Sequence, residues 1–132
     1  MKTFLLSLTA VFMFLFANNN ISAQKAGSYD PSAQKVLVDN DYITAVEVTF
    51  EPGKMTPMHT HPAHFIYALT SGSLLVTMEN GETQTFELKA GDSAYFDPEG
   101  PHRTVNNGKQ TAKILLVEFK DKPYMAGMKT TK

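Results

Sequence analysis

The amino-acid sequence contains no cysteine. This absence excludes disulfide bonds, thiolate metal ligands and a lipid anchor attached through cysteine, so any bound metal needs nitrogen and oxygen ligands. The chain also lacks a block of basic residues, and its net charge at pH 7 is −1. Nucleic-acid-binding proteins usually carry a positive patch that contacts phosphate groups. We therefore expect no nucleic-acid partner.

Long helical periodicity is the second feature that the sequence lacks. Beyond the first residues, no window longer than about ten residues repeats its apolar positions at the helical spacing. The chain has 132 residues, of which 42% are hydrophobic and 19% are charged. This is an ordinary composition for one globular domain.

The first 23 residues have the layout of a secretory signal peptide. Lys2 supplies a positive charge, an apolar run covers residues 4–17, and the small residue Ala23 precedes the expected cleavage site. The run is shorter than the roughly 20 residues that cross a bilayer, so an uncleaved membrane anchor is the weaker alternative. We expect a secreted or periplasmic protein that has no membrane contact after residues 1–23 are removed.

After a polar leader at residues 24–34, short apolar runs alternate with turn-forming residues. The runs are rich in β-branched and aromatic residues and therefore indicate strands. Asn80 and Gly81 stand between two such runs and are a strong signal of a hairpin. We predict eight or nine strands in an all-β jelly-roll barrel that spans residues 35–119. The tail at residues 120–132 stays unassigned.

The turn residues also set the predicted boundaries of the elements. Strands or extended segments are expected at residues 35–38, 42–50, 55–61, 65–70, 74–78, 83–88, 93–96, 102–105 and 113–119. The segment at residues 97–101 contains two prolines and a glycine, and we expect it to form a rigid loop because proline cannot donate a ladder hydrogen bond.

Histidines give the clearest functional signal. His59, His61 and His64 lie within six residues, and the fourth histidine, His102, lies in a second Gly- and Pro-rich stretch. Neutral imidazole is the commonest protein ligand for transition metals. Residues at positions i and i+2 of a strand share a face. His59 and His61 can therefore aim at one point, and His102 can complete a set of three.

The first histidine stretch resembles the first sequence motif of the cupin family. That motif has a glycine, five residues, His-x-His, three or four residues, a glutamate, six residues and a closing glycine. Gly53, His59, His61 and Gly72 match it in order and spacing. Phe65 stands at the position of the family's glutamate.

The second stretch resembles the second cupin motif, in which a glycine, a proline and another glycine precede a histidine and then an asparagine. Gly91, His102 and Asn106 keep the family's spacing. Pro98 and Gly100 each stand one place later than in the family.

The resemblance to cupins implies a small double-stranded β-helix that holds a metal ion. It assigns His59, His61 and His102 as the three imidazole ligands, and nothing matches the family's carboxylate. An all-nitrogen set favours Zn, Fe, Ni or Cu over Mn, which prefers oxygen ligands. Such a set also leaves at least one position for water or a substrate.

His64 has two interpretations. Strict strand alternation points it away from His59 and His61, which predicts a solvated histidine at the rim, and His64→Ala should then keep the metal. Alternatively, Pro62 permits a bulge that swings His64 into the place of the missing glutamate, since bulges re-aim side chains beside active sites. We therefore include His64 among the candidate metal ligands.

Three further residues need a predicted position relative to the metal. Tyr67 shares its strand parity with His59 and His61, and its hydroxyl group makes it the candidate catalytic residue, with core packing as the alternative. Phe65 shares that parity and is expected in the core. Glu118 is expected on the outer face, at the end of its strand.

The function that these features favour is that of a metal-dependent oxidoreductase, dioxygenase-like, acting on a small molecule. Two alternatives remain open: a non-catalytic module that binds a metal or a small ligand, and an isomerase or lyase that acts on a sugar-like substrate. The family resemblance also allows a homodimer.

Overall fold

A computed structural model describes residues 33–128 of the chain. The predicted signal peptide at residues 1–23, most of the predicted leader and residues 129–132 of the tail lie outside the described residues. In the described part, no helix is long and apolar enough to cross a membrane.

Residues 33–128 contain nine strands, within the predicted eight or nine. They are β1 (Gln34–Asp39), β2 (Ile43–Phe50), β3 (His59–His61), β4 (His64–Ala68), β5 (Gly72–Met78), β6 (Thr83–Leu88), β7 (Ser93–Phe96), β8 (Glu99–Asn106) and β9 (Ala112–Phe119). Between residues 33 and 128 the chain forms no α-helix. The strands form one sheet in the order β1-β2-β9-β4-β7 and a second in the order β3-β8-β5-β6, with antiparallel pairing throughout.

The hydrophobic core lies between the two sheets and comes from alternating positions. Val46, Val48 and Phe50 of β2 are buried, and so are Ile114 and Leu116 of the neighbouring β9. Successive side chains of a strand point to opposite faces, so these residues share the inner face. Burying each aliphatic side chain contributes about 1.5–3 kcal/mol.

Two glycines have conformational reasons for their positions. Gly81 has φ of 87° in the predicted hairpin between β5 and β6, where Met78 donates a backbone hydrogen bond to Glu82. A Cβ atom on Gly72 would lie only 2.5 Å from the Cβ of Ala112. The closing glycine of the first motif therefore lets β5 approach β9 closely.

The rigid loop predicted at residues 97–101 is partly wrong, because β8 already begins at Glu99. Pro101 fits in this strand since its carbonyl accepts a hydrogen bond from the backbone N–H of Glu79 and it has no N–H to satisfy. The longer strand pairs His59 with His102 and His61 with Glu99, with an irregular register between them.

The described part of the tail closes over the strand ends that carry the histidines. The N–H of Phe119 donates to the carbonyl of Ala63, whose own N–H donates to the carbonyl of Lys122. Tyr124 packs against Gly100, where an added Cβ would lie 3.4 Å from the tyrosine hydroxyl. The tail thus fixes the junction of β3 with β4 and the start of β8.

Candidate metal centre

The structure brings the three predicted ligands together. One ring nitrogen from each of His59, His61 and His102 lies within 4.8 Å of the others. The two nitrogens of the first pair, His59 Nε2 and His61 Nε2, are 3.0 Å apart. This convergence depends on the pairing of β3 with β8, which places His102 directly opposite His59.

A repeated local contact orients three of the four imidazole rings. In each, the ring Nδ1 donates to the backbone carbonyl two residues earlier. The pairs are His59 with Pro57 (2.8 Å), His64 with Pro62 (2.9 Å) and His102 with Gly100 (2.9 Å). The contact turns each Nε2 away from its own backbone segment.

His61 is held differently, by a carboxylate from another strand. Its Nδ1 lies 2.6 Å from Glu118 Oε1. This hydrogen bond lowers the pKa of Glu118, against the opposing effect of burial. Glu118 is therefore ionised at neutral pH and acts as an acceptor.

These partners determine which nitrogen of each ring carries the proton. Backbone carbonyls and ionised carboxylates only accept hydrogen bonds, so each Nδ1 must be the protonated nitrogen and each neutral ring has a bare Nε2. Two bare nitrogens at 3.0 Å, as in His59 and His61, repel each other unless a cation lies beside both. Burial lowers the pKa of His59, which opposes a proton on that ring as the cation. The donor set therefore fits a metal ion with bonds of about 2.0–2.1 Å.

His64 is not at the rim, and that interpretation is wrong. Its side chain is 4% exposed, its ring centroid lies 4.8 Å from that of His61, and it stacks on Phe96. Alternation fails because the chain leaves one sheet after His61 and enters the other at His64. The two residues between them, Pro62 and Ala63, form this crossing, so the inward position arises from a change of sheet.

Glu99 is a site residue that sequence reasoning missed. Its Oε2 lies 3.7 Å from His64 Nε2 and 3.9 Å from His102 Nε2. Both distances are too long for hydrogen bonds. Burial raises the pKa of Glu99. One feature of the sequence could have indicated Glu99 as a site residue. It lies three residues before His102, between the displaced proline and glycine of the second motif.

Glu118 faces the site, so its predicted outward position is wrong. Ile114 and Leu116 line the cavity, and Glu118 continues the same alternation along β9. Its place at a strand end predicts a solvated carboxylate, whereas its alternation with Ile114 and Leu116 correctly indicates the inner face.

Tyr67 lies outside the cavity, and its predicted position beside the ligands is wrong. His64 and Ile66 line the cavity, so Phe65 and Tyr67 point to the other face of β4. Tyr67 is 40% exposed. Alternation counted from His61 does not continue where the chain changes sheet. The predicted inward positions of Phe65 and Tyr67 are wrong for this reason.

Asn106, the last residue of the second motif, has a structural role. It is 0% exposed. Its amide donates to the carbonyls of Phe50 (2.7 Å) and Gln110 (2.8 Å), and its oxygen accepts from the N–H of Gly108 (2.9 Å). The side chain therefore fastens the corner between β8 and β9 to the end of β2.

The four histidines and Glu99 form the polar end of a cavity of about 100 Å³. Its other walls are mainly apolar and come from both sheets, including Val48, Leu74, Phe86 and Ile114. A metal at the polar end would face a space suited to the apolar part of a small molecule.

Two curated proteins are similar in sequence to about half of this chain. An uncharacterised protein of Methanocaldococcus jannaschii is 35% identical over 68 residues, which cover 51% of this chain and 52% of that protein. The (R)-mandelonitrile lyase of Granulicella tundricola is 34% identical over 64 residues, covering 48% of this chain and 47% of the lyase. The chain spans about half the length of these curated relatives.

Solved structures share the fold over a larger part of the chain. A cupin domain from Bordetella pertussis is 26% identical with a TM-score of 0.61, covering 66% of this chain and 91% of that one. The polyketide cyclase RemF from Streptomyces resistomycificus is 25% identical with a TM-score of 0.53, covering 75% of this chain and 72% of the cyclase. The predicted double-stranded β-helix is confirmed.

The family model described as "Cupin domain" matches residues 46–118. This range begins in β2, ends at Glu118 and includes the four histidines. The chain therefore belongs to the cupin family.

Proposed function

We propose that this cupin is a metal-dependent enzyme that acts on a small, largely apolar molecule bearing an oxygen atom. His59, His61 and His102 hold the metal, and His64 is a fourth imidazole ligand. The observation that carries the proposal is the pair of bare Nε2 atoms 3.0 Å apart in His59 and His61. A site dominated by nitrogen favours Zn, Fe, Ni or Cu over Mn.

The burial and ring orientation of His64 support its place in the ligand set, although the nitrogens that lie within 4.8 Å of one another are those of His59, His61 and His102. Its Nδ1 is held by the carbonyl two residues earlier, as in His59 and His102, so its Nε2 is also bare. It is buried beside His61 rather than solvated. We now expect His64→Ala to weaken metal binding, which reverses the expectation from the rim interpretation.

A metal in this site supplies a Lewis acid that polarises an oxygen of the bound molecule. The apolar walls hold the rest of that molecule and exclude water from it. Glu99 lies beside His64 and His102, so its Oε2 can accept a proton from a hydroxyl group held at the polar end. The chain thus provides a binding surface and a proton acceptor next to each other.

This arrangement favours lyase or cyclase chemistry at the carbon that bears the oxygen. A lyase and a polyketide cyclase are among the proteins similar to this chain. For a cyanohydrin, Glu99 would take the hydroxyl proton while the bond to the nitrile carbon breaks. The electron pair leaves with cyanide, which then takes up the proton, and an aldehyde remains.

A dioxygenase-like oxidoreductase is the second candidate. The observation that favours it is the set of neutral imidazoles, which lacks the motif's carboxylate and leaves positions open for dioxygen and a substrate. A module that binds metal without turnover is the third outcome of the test below.

The test starts with metal analysis of protein purified without chelator. The metal-free protein is then loaded separately with Zn, Fe(II), Ni or Cu and assayed for benzaldehyde release from mandelonitrile. Oxygen uptake is measured with thiols, flavonols and diketones. Benzaldehyde release that is lost in Glu99→Gln supports the first candidate, and oxygen uptake with Fe(II) supports the second. Tight metal binding with neither activity favours the non-catalytic module.

A further inference from the structure

The four imidazole rings of the site are oriented by two different means. His59, His64 and His102 use a carbonyl of their own chain segment, two residues earlier. His61 instead uses Glu118, which is 57 residues away in the sequence. His61 is therefore the ring whose orientation depends on a side chain from a distant strand.

We propose that Glu118 is a positioning residue that fixes the tautomer and orientation of His61, so that His61 Nε2 faces His59 and His102. Glu118 itself touches neither the metal nor the substrate. The effect of Glu118 on metal affinity rests on the function proposed above.

The backbone of Glu118 is held in place on both sides of its strand. Glu118 is paired with Thr44 on one side of β9 and with His64 on the other. The N–H of the next residue, Phe119, donates to the carbonyl of Ala63 at 2.8 Å. A ladder on both sides and this bond at the strand end fix the backbone of Glu118, from which the side chain reaches His61.

The contact is also the stronger kind of hydrogen bond. The Nδ1–Oε1 distance of 2.6 Å between His61 and Glu118 is shorter than the three carbonyl contacts, which measure 2.8–2.9 Å. Bonds to ionised acceptors are roughly twice as strong as neutral ones. A carboxylate on Nδ1 also raises the basicity of the opposite nitrogen towards a metal. Removing the hydrogen-bond partner of His61 should therefore weaken metal binding more than removing the partner of any of the other three rings.

The first measurement is zinc affinity, by competition with a chromophoric chelator. Glu118→Ala should bind zinc about 10–100-fold more weakly than the wild type, the usual cost of losing a partner of a ligating histidine. Glu118→Gln should recover most of that loss because its amide oxygen accepts the same N–H. Glu47→Ala is the matched control, since it removes a carboxylate of the same sheet that pairs with Lys113. It should bind zinc as the wild type does.

The second measurement reports the tautomer of His61 in the metal-free protein. Nitrogen-15 NMR of the imidazole rings should show His61 protonated on Nδ1 in the wild type and in Glu118→Gln. In Glu118→Ala it should show a mixture of the two tautomers. A merely structural role for Glu118 would leave this signature unchanged in a folded variant. Should Glu118→Ala not fold, Glu118→Met replaces it, since methionine keeps the length without an oxygen acceptor.

Two results separate this inference from the proposed function. If the wild type binds zinc, and the variant without an acceptor binds it equally well with an unchanged His61 tautomer, the positioning role is wrong and the metal site stands. If the wild type binds no metal, the proposed function fails, and the tautomer measurement still decides whether Glu118 sets the ring.

Discussion

The two ends of the cavity are built in different ways. Residues of the apolar end, such as Val48 and Ile114, come from the middle of long strands. Most residues of the polar end come from strand ends: His64 begins β4, Glu99 begins β8, and His59 begins β3, while His102 lies inside β8. The residues that stabilise the fold and those that form the candidate metal site therefore lie in separate parts of one barrel. Substitutions should therefore affect them separately.

His102→Ala tests the polar end and should have the largest effect on function. His102 supplies one of the three nitrogens that lie within 4.8 Å of one another, so stoichiometric metal binding should be lost in this variant even though His64 remains beside the other two rings. Circular dichroism should still show a folded all-β protein. Elemental analysis after desalting provides the measurement, and undiminished metal content would contradict the assignment of His102.

Leu116→Ala tests the apolar end and should have the opposite effect. Leu116 is buried in the core cluster, and truncating such a side chain costs about 2–5 kcal/mol of unfolding free energy. Urea unfolding measures this loss. The folded variant should bind metal with the wild-type stoichiometry, and loss of metal without loss of stability would break the separation of the two ends.

Asn106→Ala should have an intermediate effect, because Asn106 belongs to a sequence motif but contacts none of the metal-ligating histidines. The substitution removes the donors to the carbonyls of Phe50 and Gln110. Leaving buried polar groups unpaired costs about 1–3 kcal/mol each. Stability should therefore fall while metal binding is retained. If metal were lost at full stability, Asn106 would have a functional role that its contacts do not show.

pH should affect the polar end of the metal-free protein more than the apolar end. Burial lowers the pKa of His59, His64 and His102 below the ordinary value of 6.5. Between 6.5 and the lowered values the unfolded chain binds more protons than the folded one, so stability falls as pH drops through this window. The raised pKa of Glu99 acts in the opposite direction above 4.5 and partly offsets the fall.

Urea titrations of the metal-free protein at a series of pH values below neutrality measure this dependence. His64→Ala should show a shallower fall than the wild type, because it removes one of the three groups. If the free energy of unfolding changed equally with pH in both proteins, burial would not lower the pKa of His64.

Tyr67→Phe should have the smallest effect. Tyr67 points to the outer face of β4, where its hydroxyl is away from the cavity. Metal content and stability should match the wild type, with a change within about 0.5 kcal/mol, as for most surface substitutions. A large loss of turnover in this variant would restore the original catalytic interpretation.

The sequence predicts the apolar end well because alternation holds within an unbroken strand. Strand runs such as Thr83–Leu88 and Ser93–Phe96 were located at the residues where the structure has them. The convergence of His59, His61 and His102 was also predicted, from strand parity and the two motifs.

The sequence does not predict the positions of Tyr67 and Glu99, and it predicts the inward position of His64 only as one of two interpretations, because each position depends on where a strand begins. The inward interpretation of His64 relies on a bulge at Pro62, whereas the chain changes sheet there, and the alternation of inward and outward side chains starts again at His64. The prolines that flank Glu99 predict a loop, yet Pro101 needs only its carbonyl to join β8.

The most direct test of the central claim is X-ray absorption spectroscopy, combined with metal analysis, on protein purified without chelator. The account predicts about one transition-metal ion per chain with a shell dominated by imidazole nitrogen at about 2.0–2.1 Å. A protein that takes up no such ion, or one whose bound metal shows no imidazole scattering, would contradict it.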